Sequence, residues 1–354
     1  MPCLNSSRPK TTLHLTDLTP AEIAAGLCIE PYQGRQVFRW LHRKRVFDYD
    51  DMSDLPTGLR KRLAETCPDH YLVPLETYCS PRTGTKKVLF RLADGETIES
   101  VVLRNRGRTS LCLSTQVGCP LKCVFCATGQ SGFVRNLAPG EIVEQALRML
   151  ADEDLGGRTP NIVYMGMGEP FLNYDAVVRS VRLLMAKEGL EIGARKLTIS
   201  TVGDVPGIAL FSDEKWQVRL TISLHAANDA LRSRLVPLNR KYPLDALMAA
   251  VHNYVKKTRR NVTFEWVLID GVNDSRRDAK ELAQLLSGLR TSVNLIPYNT
   301  VRGADFAPPP VAECRAFRNE LVRRGLRATL RHERGRDIDA ACGQLRRREA
   351  KASG

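Results

Sequence analysis

Residues 110–129, SLCLSTQVGCPLKCVFCATG, join a short β-type run to three cysteines packed into eight residues: Cys119, Cys123 and Cys126. A disulfide uses two thiols, and a structural zinc site uses four ligands. Three thiolates can hold three corners of a four-iron, four-sulfur cluster and leave one iron open, whereas electron-transfer clusters have every iron ligated by protein. An open iron can take a ligand that offers an amine and a carboxylate, such as the methionine end of S-adenosylmethionine. A reduced cluster can then break the sulfonium bond and release a carbon radical. Spacing alone leaves other readings open: a zinc site completed by Cys112 or His225, a closed electron-transfer cluster, or three unrelated buried thiols.

From residue 108 onward, short β-branched runs alternate with helical patterns. SLCLST is followed by GEIVEQALRML, NIVYMG by YDAVVRSVRLLM, and RKLTIST by a short helix near 205–211. VRLTISL is followed by LDALMAAVHNYV, VTFEWVLI by AKELAQLLSGL, and SVNLIPY by VAECRAFRNELVRR. Six such units predict an α/β fold, a parallel sheet with outer helices forming a partial (β/α)6 barrel rather than a closed eight-unit one. A last apolar run, RATLRH, either pairs at the edge or leads the tail inward. In such sheets the site is built by loops after the carboxyl ends of strands. The cysteine cluster, MGMGEP, STVG, SLHA and PYN all fall there.

Before the barrel, TDLTPAEIAAGL offers Thr19 as a helix cap, Pro20 at the first turn and Glu22 three residues after the cap. On the next helical pattern Arg35, Arg39 and Arg43 share one stripe, while Val37, Trp40 and Leu41 share the core-facing one. KKVLFRLADGETIESVVLRN reads as a hairpin turning at Ala93-Asp94-Gly95. The expected organisation is a disordered leader over 1–12, a helical accessory domain over 13–85, a linking β-hairpin over 86–107, the barrel over 108–345 and a basic tail over 346–354.

The chain has 354 residues and a formal net charge of +14, and residues 323–354 alone carry ten Lys and Arg against four Asp and Glu. That excess suits a phosphate-rich partner, or simply a solvated surface. No apolar run is long enough to span a bilayer, and no secretory signal opens the chain, so a cytoplasmic location is expected. There, clustered cysteines serve metals or catalysis more often than disulfides.

Taken together, the segments LCLSTQVGCPLKCVFCATGQSGFVRNL, MGMGEPFLNYD, STVG, SLHAANDALRSRLVPLNRKYP, EWVLIDGVND and RGRDIDAACGQLR resemble the radical S-adenosylmethionine superfamily. Within it they resemble the RlmN/Cfr family of RNA adenosine methyltransferases, most of all its RlmN branch. The resemblance runs from about residue 13 to 348. It implies a [4Fe-4S] cluster on Cys119, Cys123 and Cys126, with S-adenosylmethionine held by Gly168, Glu169, Ser200, Ser223, Leu224, His225 and Asn299. It implies that Cys342 carries a methyl group to the base, that Cys112 resolves the protein–RNA adduct through a transient disulfide, and that Glu99 accepts a proton. The implied reaction is methylation of C2 of an adenosine in 23S ribosomal RNA, with adenosine 37 of transfer RNA as a second substrate. Methylation at C8 and a non-catalytic zinc-stabilised RNA-binding module are the alternatives. An external electron donor of flavodoxin type and a monomeric state complete the expectation. Without the resemblance, Cys112 and Cys342 read equally well as packed thiols, and Glu99 as a strand carboxylate paired with a nearby arginine.

Overall fold

A computed structural model describes residues 13–67, 70–105, 107–301, 303–331 and 334–346. The expected leader over 1–12 and residues 347–354 of the expected tail lie outside the described residues.

The amino-terminal unit consists of α1 (Pro20–Leu27), α2 (Pro31–Arg39) and α3 (Thr57–Thr66). Thr19 and Glu22 form the expected reciprocal cap, with Thr19 Oγ1 accepting from the Glu22 amide at 3.4 Å. α2 runs on into a π-helical turn over Trp40–Lys44, which widens the coil yet keeps Val37, Trp40 and Leu41 buried and Arg35, Arg39 and Arg43 exposed. The unit is tied to the barrel by polar contacts from its own first turns: Arg179 pairs with Glu22, and Asp17 accepts from the Gly140 amide.

Residues 72–79, which the 13–85 boundary assigns to the helical unit, form strand β1 (Leu72–Cys79) instead. Val73, Thr77 and Tyr78 are strand formers, and the segment pairs antiparallel with β2 (Lys86–Leu92). β2 and β3 (Thr97–Asn105) make the expected hairpin, with Gly95 at φ +86° in its turn. The hairpin is not a separate linker. β3 pairs antiparallel with β4 (Arg108–Cys112), so the ladder continues without interruption into the barrel sheet.

After β4 the chain forms a small antiparallel ribbon, β5 (Gln116–Gly118) and β6 (Phe133–Asn136), with α4 (Ala127–Gln130) between its strands. α5 (Pro139–Ala151) then leads to β7 (Asn161–Tyr164), and α6 (Tyr174–Met185) to β8 (Leu197–Thr201). α7 (Val205–Phe211) precedes β9 (Arg219–Ser223), and α8 (Asp229–Leu235) and α9 (Leu244–Thr258) precede β10 (Val262–Leu268). α10 (Arg276–Leu285), β11 (Thr291–Pro297), α11 (Val311–Arg323) and β12 (Arg327–Leu330) complete the series.

The large sheet runs β1-β2-β3-β4-β7-β8-β9-β10-β11-β12, parallel from β4 onward, with β1 and β12 at its two edges. RATL thus becomes an edge strand pairing with β11, which settles the alternative left open for it. The sheet curls, because Ser110, Val163, Thr198, Thr221, Thr263 and Asn294 from six strands face one lumen. Outer helices bury apolar stripes such as Ile142, Ala146 and Leu150 of α5, and Val177, Val181 and Leu184 of α6. Filled barrels are packed with branched aliphatics. The hydroxyl and amide lining of this lumen instead leaves room at its carboxyl end.

Candidate active site

At the carboxyl ends of β7–β11 the lumen widens into a chamber open to solvent. Cys119, Cys123, Cys126 and Cys342 all line it, together with Gly168, Glu169, Ser200, Ser223, His225 and Asn299. Sequence placed these residues far apart, and the fold brings them to one chamber.

The cysteine loop is held by backbone geometry. Gly118, at φ +76°, is the last residue of β5, and a Cβ there would lie 1.9 Å from the Gly132 carbonyl. Only glycine lets the ribbon close, and closure places Cys119, whose amide donates to that same carbonyl at 2.8 Å. Cys126 donates its amide to Cys123 O at 3.1 Å, so the last two cysteines share one turn. Among the described residues no three His, Cys, Asp or Glu side chains converge on a single point, as a one-ion site demands. The three thiols still open into one chamber, and a polynuclear cluster binds each thiolate at a separate corner. The donor set fits such a cluster. Without metal the thiols are desolvated: burial pushes Cys119 up to about 12 and raises Cys123 well above the ordinary thiol range.

The residues around the cysteines fit S-adenosylmethionine. The Glu169 amide donates to Gln116 Oε1 at 2.8 Å; its carboxylate accepts from Phe171 N at 3.1 Å and Val202 N at 2.9 Å, and burial raises it to about 7. A carboxylate has about four acceptor positions, so capacity remains for an ammonium group. Asn299 Oδ1 is buried without a partner, an acceptor directed at nothing in the protein. Ser200 and Ser223 place their hydroxyls 3.2 Å apart on adjacent strands. His225 is strained at φ +63°, accepts from Val267 N at 3.1 Å through Nδ1, and is held neutral by burial, its pKa falling to about 3. Leu224 is fully buried and does not line the chamber; its amide donates to Glu265 O, so any contact it makes to a cofactor is through backbone. Gly168 sits at φ +102°, and a Cβ there would come within 2.6 Å of the Gln116 side chain. The protein itself therefore demands this glycine, beyond any clearance a cofactor requires.

Cys342 reaches the chamber on the carboxyl-terminal loop. Asn299 Nδ2 donates to its carbonyl at 3.2 Å, Ala127 N donates to Gly343 O at 2.8 Å, and Thr128 Oγ1 donates to Leu345 O at 2.5 Å. The thiol is open to the chamber yet crowded by protein on its other sides; burial raises its pKa and the Arg331 guanidinium opposes that rise. Cys112, at the end of β4, lies below the chamber lining and is pushed up to about 12 by burial. Arg331 acts electrostatically on Cys342, Cys112 and Glu265 together, which places both thiols within its field.

Glu99 stands elsewhere. It is fully buried on β3, pairs with the equally buried Lys87 at 3.1 Å, and accepts from Arg346 N at 3.0 Å. Lys87 Nζ also donates to Asp339 O at 3.0 Å. This ion pair fastens both sides of the Cys342 loop and does not line the chamber.

Sequence reasoning passed over three supports. Gln116 positions Glu169. Asn273, in the GVND turn, donates to His225 O at 2.8 Å and to Val267 O at 2.7 Å. Arg232, at 1% exposure, donates to Leu224 O at 3.1 Å and Asn239 Oδ1 at 2.8 Å, beneath the cysteine loop. No local signal singles Arg232 out, because Arg234, two residues on in the same helix, is of the same type and exposed.

The Radical SAM superfamily matches residues 113–285, and the ribosomal RNA large subunit methyltransferase N-terminal domain matches residues 14–68. A probable dual-specificity RNA methyltransferase RlmN from Heliobacterium modesticaldum is 47% identical over 345 residues, covering 94% of this chain and 89% of its own length. The chain belongs to the RlmN family. A second RlmN-family relative, from Thermotoga neapolitana, is 47% identical over 94% of this chain and 97% of its own length. The crystal structure of a radical SAM methyltransferase from Sphaerobacter thermophilus superposes with a TM-score of 0.91 at 50% identity, covering 94% and 99% of the two chains. As an RlmN-family member the chain is a radical S-adenosylmethionine RNA methyltransferase. No helix among its described residues is long and apolar enough to cross a membrane.

Proposed function

We propose that this enzyme methylates C2 of an adenosine in 23S ribosomal RNA, with adenosine 37 of transfer RNA as a second substrate. The observation that carries the reading is that Cys342 opens into the chamber lined by Cys119, Cys123 and Cys126. The relatives are named as dual-specificity RNA methyltransferases, which supports two RNA substrates.

Adenine C2 lies between two ring nitrogens and is a poor nucleophile, so transfer of a methyl cation to it is unpromising. When bound, the cluster and S-adenosylmethionine supply a methyl group and a carbon radical. Cys119, Cys123 and Cys126 would hold the cluster, and Glu169 and Asn299 would receive the amino acid end of the cofactor. Cys342 carries the methyl on its sulfur; that methyl gives up one hydrogen atom to the radical, and its carbon bonds to C2. The C2 hydrogen leaves as a proton with one electron passing back to the donor, which joins protein and RNA covalently. Cys112 then attacks the Cys342 sulfur; the sulfur–carbon bond breaks, the carbon keeps the electron pair and takes a proton, and a disulfide remains. Cellular thiols reduce that disulfide. Arg331 favours the thiolate form at both sulfurs, against their burial. Glu99 holds the Cys342 loop; for it to accept a proton from the base, Arg346 must first release it. An external donor of flavodoxin type and action as a cytoplasmic monomer complete the reading.

The test is nucleoside mass spectrometry of RNA incubated anaerobically with enzyme, cofactor and reductant. Wild type gives 2-methyladenosine, and Cys342→Ala gives none while retaining its iron and sulfide. Product at C8 moves the reading to the other regiochemistry. No methyladenosine from cluster-loaded wild type refutes it.

A further inference from the structure

The barrel's opposite end, at the amino ends of the strands, carries a feature that the chemistry of the chamber does not use. An open groove is lined by Arg108, Arg158, Arg195, Lys196 and Arg219, with no Asp or Glu among its lining residues. Two adjoining cavities extend it through the shared residues Arg219 and Arg108, and both reach Arg334. The carboxylates they add are Asp154 at the rim and the buried Glu265 in the lumen.

Among the described residues Arg108, Arg158, Arg195, Lys196, Arg219 and Arg334 make no ion pair, whereas Arg104, which also lines an adjoining cavity, shares Glu153 with Lys86, and Arg331 in the lumen faces Glu265 and the two thiols. Four are held by neutral acceptors instead. Arg158 donates to Gly107 O at 2.8 Å, Lys196 to Thr159 O at 2.5 Å, Arg195 to Gln217 Oε1, and Arg334 to Asn105 Oδ1 at 2.8 Å. Neutral acceptors orient a cation while leaving its charge uncompensated. A bland explanation is available, since α5 and α6 point their carboxyl ends this way and a helix end attracts cations. Each end is equivalent to about half a negative charge, so two ends balance about one cation of six.

We infer that this trough is a second phosphate-backbone contact for RNA, on the face of the barrel opposite the catalytic chamber. It rests on the reading of the chain as an RNA methyltransferase. Lys196, immediately before β8 at the groove, and Ser200, near the end of β8 at the chamber, are four residues apart, or roughly 13 Å at about 3.3 Å per residue. A folded RNA that wraps the barrel edge can touch both faces, whereas a short stem–loop seated at the chamber cannot. The trough thus selects for size and fold of the RNA and not for the target base.

The experiment compares wild type with the Arg158→Gln/Arg195→Gln/Lys196→Gln variant, whose amides preserve the neutral hydrogen bonding. Binding of a long folded RNA and of a minimal stem–loop is measured without cofactor, over salt from about 50 to about 200 mM. Each lost phosphate contact flattens the slope of log affinity against log salt by about 0.7–0.9, so the variant loses about 2–3 units of slope on the long RNA. It keeps the wild-type slope on the stem–loop and the wild-type turnover of it. Circular dichroism and iron content check that the variant is folded. An unchanged slope on the long RNA in folded variant overturns the inference. So does an ATP arm in which ATP binds the wild-type groove, the variant loses ATP, and RNA slopes stay equal, since the site then serves a free nucleotide. Because binding is read without catalysis, failure to form 2-methyladenosine would remove the proposed function and leave this result standing.

Discussion

Replacing Lys87 by methionine isolates the device that holds the Cys342 loop. Lys87 and Glu99 are both at 0% exposure and 3.1 Å apart, and each also fastens the loop's backbone, at Asp339 and Arg346. Removing one member of a buried pair leaves an uncompensated charge and costs about 3–5 kcal/mol, or roughly two to three and a half decades in the unfolding equilibrium. The double variant Lys87→Met/Glu99→Gln removes both charges and keeps an amide oxygen for Arg346, so it should recover most of that loss, with a coupling of about 2–4 kcal/mol. Urea denaturation followed by tryptophan fluorescence gives the stabilities, and limited proteolysis near Gly335 reports whether the loop has come loose. Lys87→Met within about 1 kcal/mol of wild type, or a double variant no better than the worse single, refutes the clamp. Turnover adds a second answer. A stable double variant that methylates RNA shows that Glu99 acts through the loop; a stable one that forms adduct but never resolves it shows that its carboxylate takes the proton.

Cys112→Ala should accumulate a covalent protein–RNA adduct, visible as a shifted band on a denaturing gel, because nothing remains to displace Cys342; full turnover would remove Cys112 from the mechanism. The same residue sets a pH dependence. Burial raises its thiol from 9.0 to about 12, so at pH 8 its thiolate is about a thousandfold scarcer than in an ordinary thiol. Iodoacetamide should therefore label the exposed Cys28 first, and the Cys112 rate should climb about tenfold per pH unit through pH 10 without levelling off. A plateau below pH 10 contradicts the assigned environment.

The barrel was legible because its units keep two periods, β-branched runs and amphipathic helices, and because motifs such as MGMGEP and SLHA stand at strand ends where β/α sheets build sites. The cysteine triplet stood out for a chemical reason, since three thiols match neither a disulfide nor a complete zinc site, while the choice among a zinc site, a closed cluster and an open one came only from the family resemblance. What escaped was long-range. Strand β1 was hidden because Pro74 and Glu76 dilute its pattern, and its pairing with β2 is bulged between those residues. The Lys87–Glu99 pair joins adjacent strands, but its purpose lies at Asp339 and Arg346, about 250 residues away in sequence, and no local pattern announces that. Arg232 and Asn273 likewise act on backbone carbonyls, which carry no residue-type signature.

The central claim is that the methyl carbon passes through Cys342 as a radical and is not handed over as a cation. The direct measurement uses S-adenosylmethionine carrying a trideuterated methyl group, with mass spectrometry of the product nucleoside and of the 5′-deoxyadenosine formed beside it. The account predicts 2-methyladenosine with two deuterons in its methyl group and the third deuteron in 5′-deoxyadenosine. Product that retains all three deuterons would contradict it.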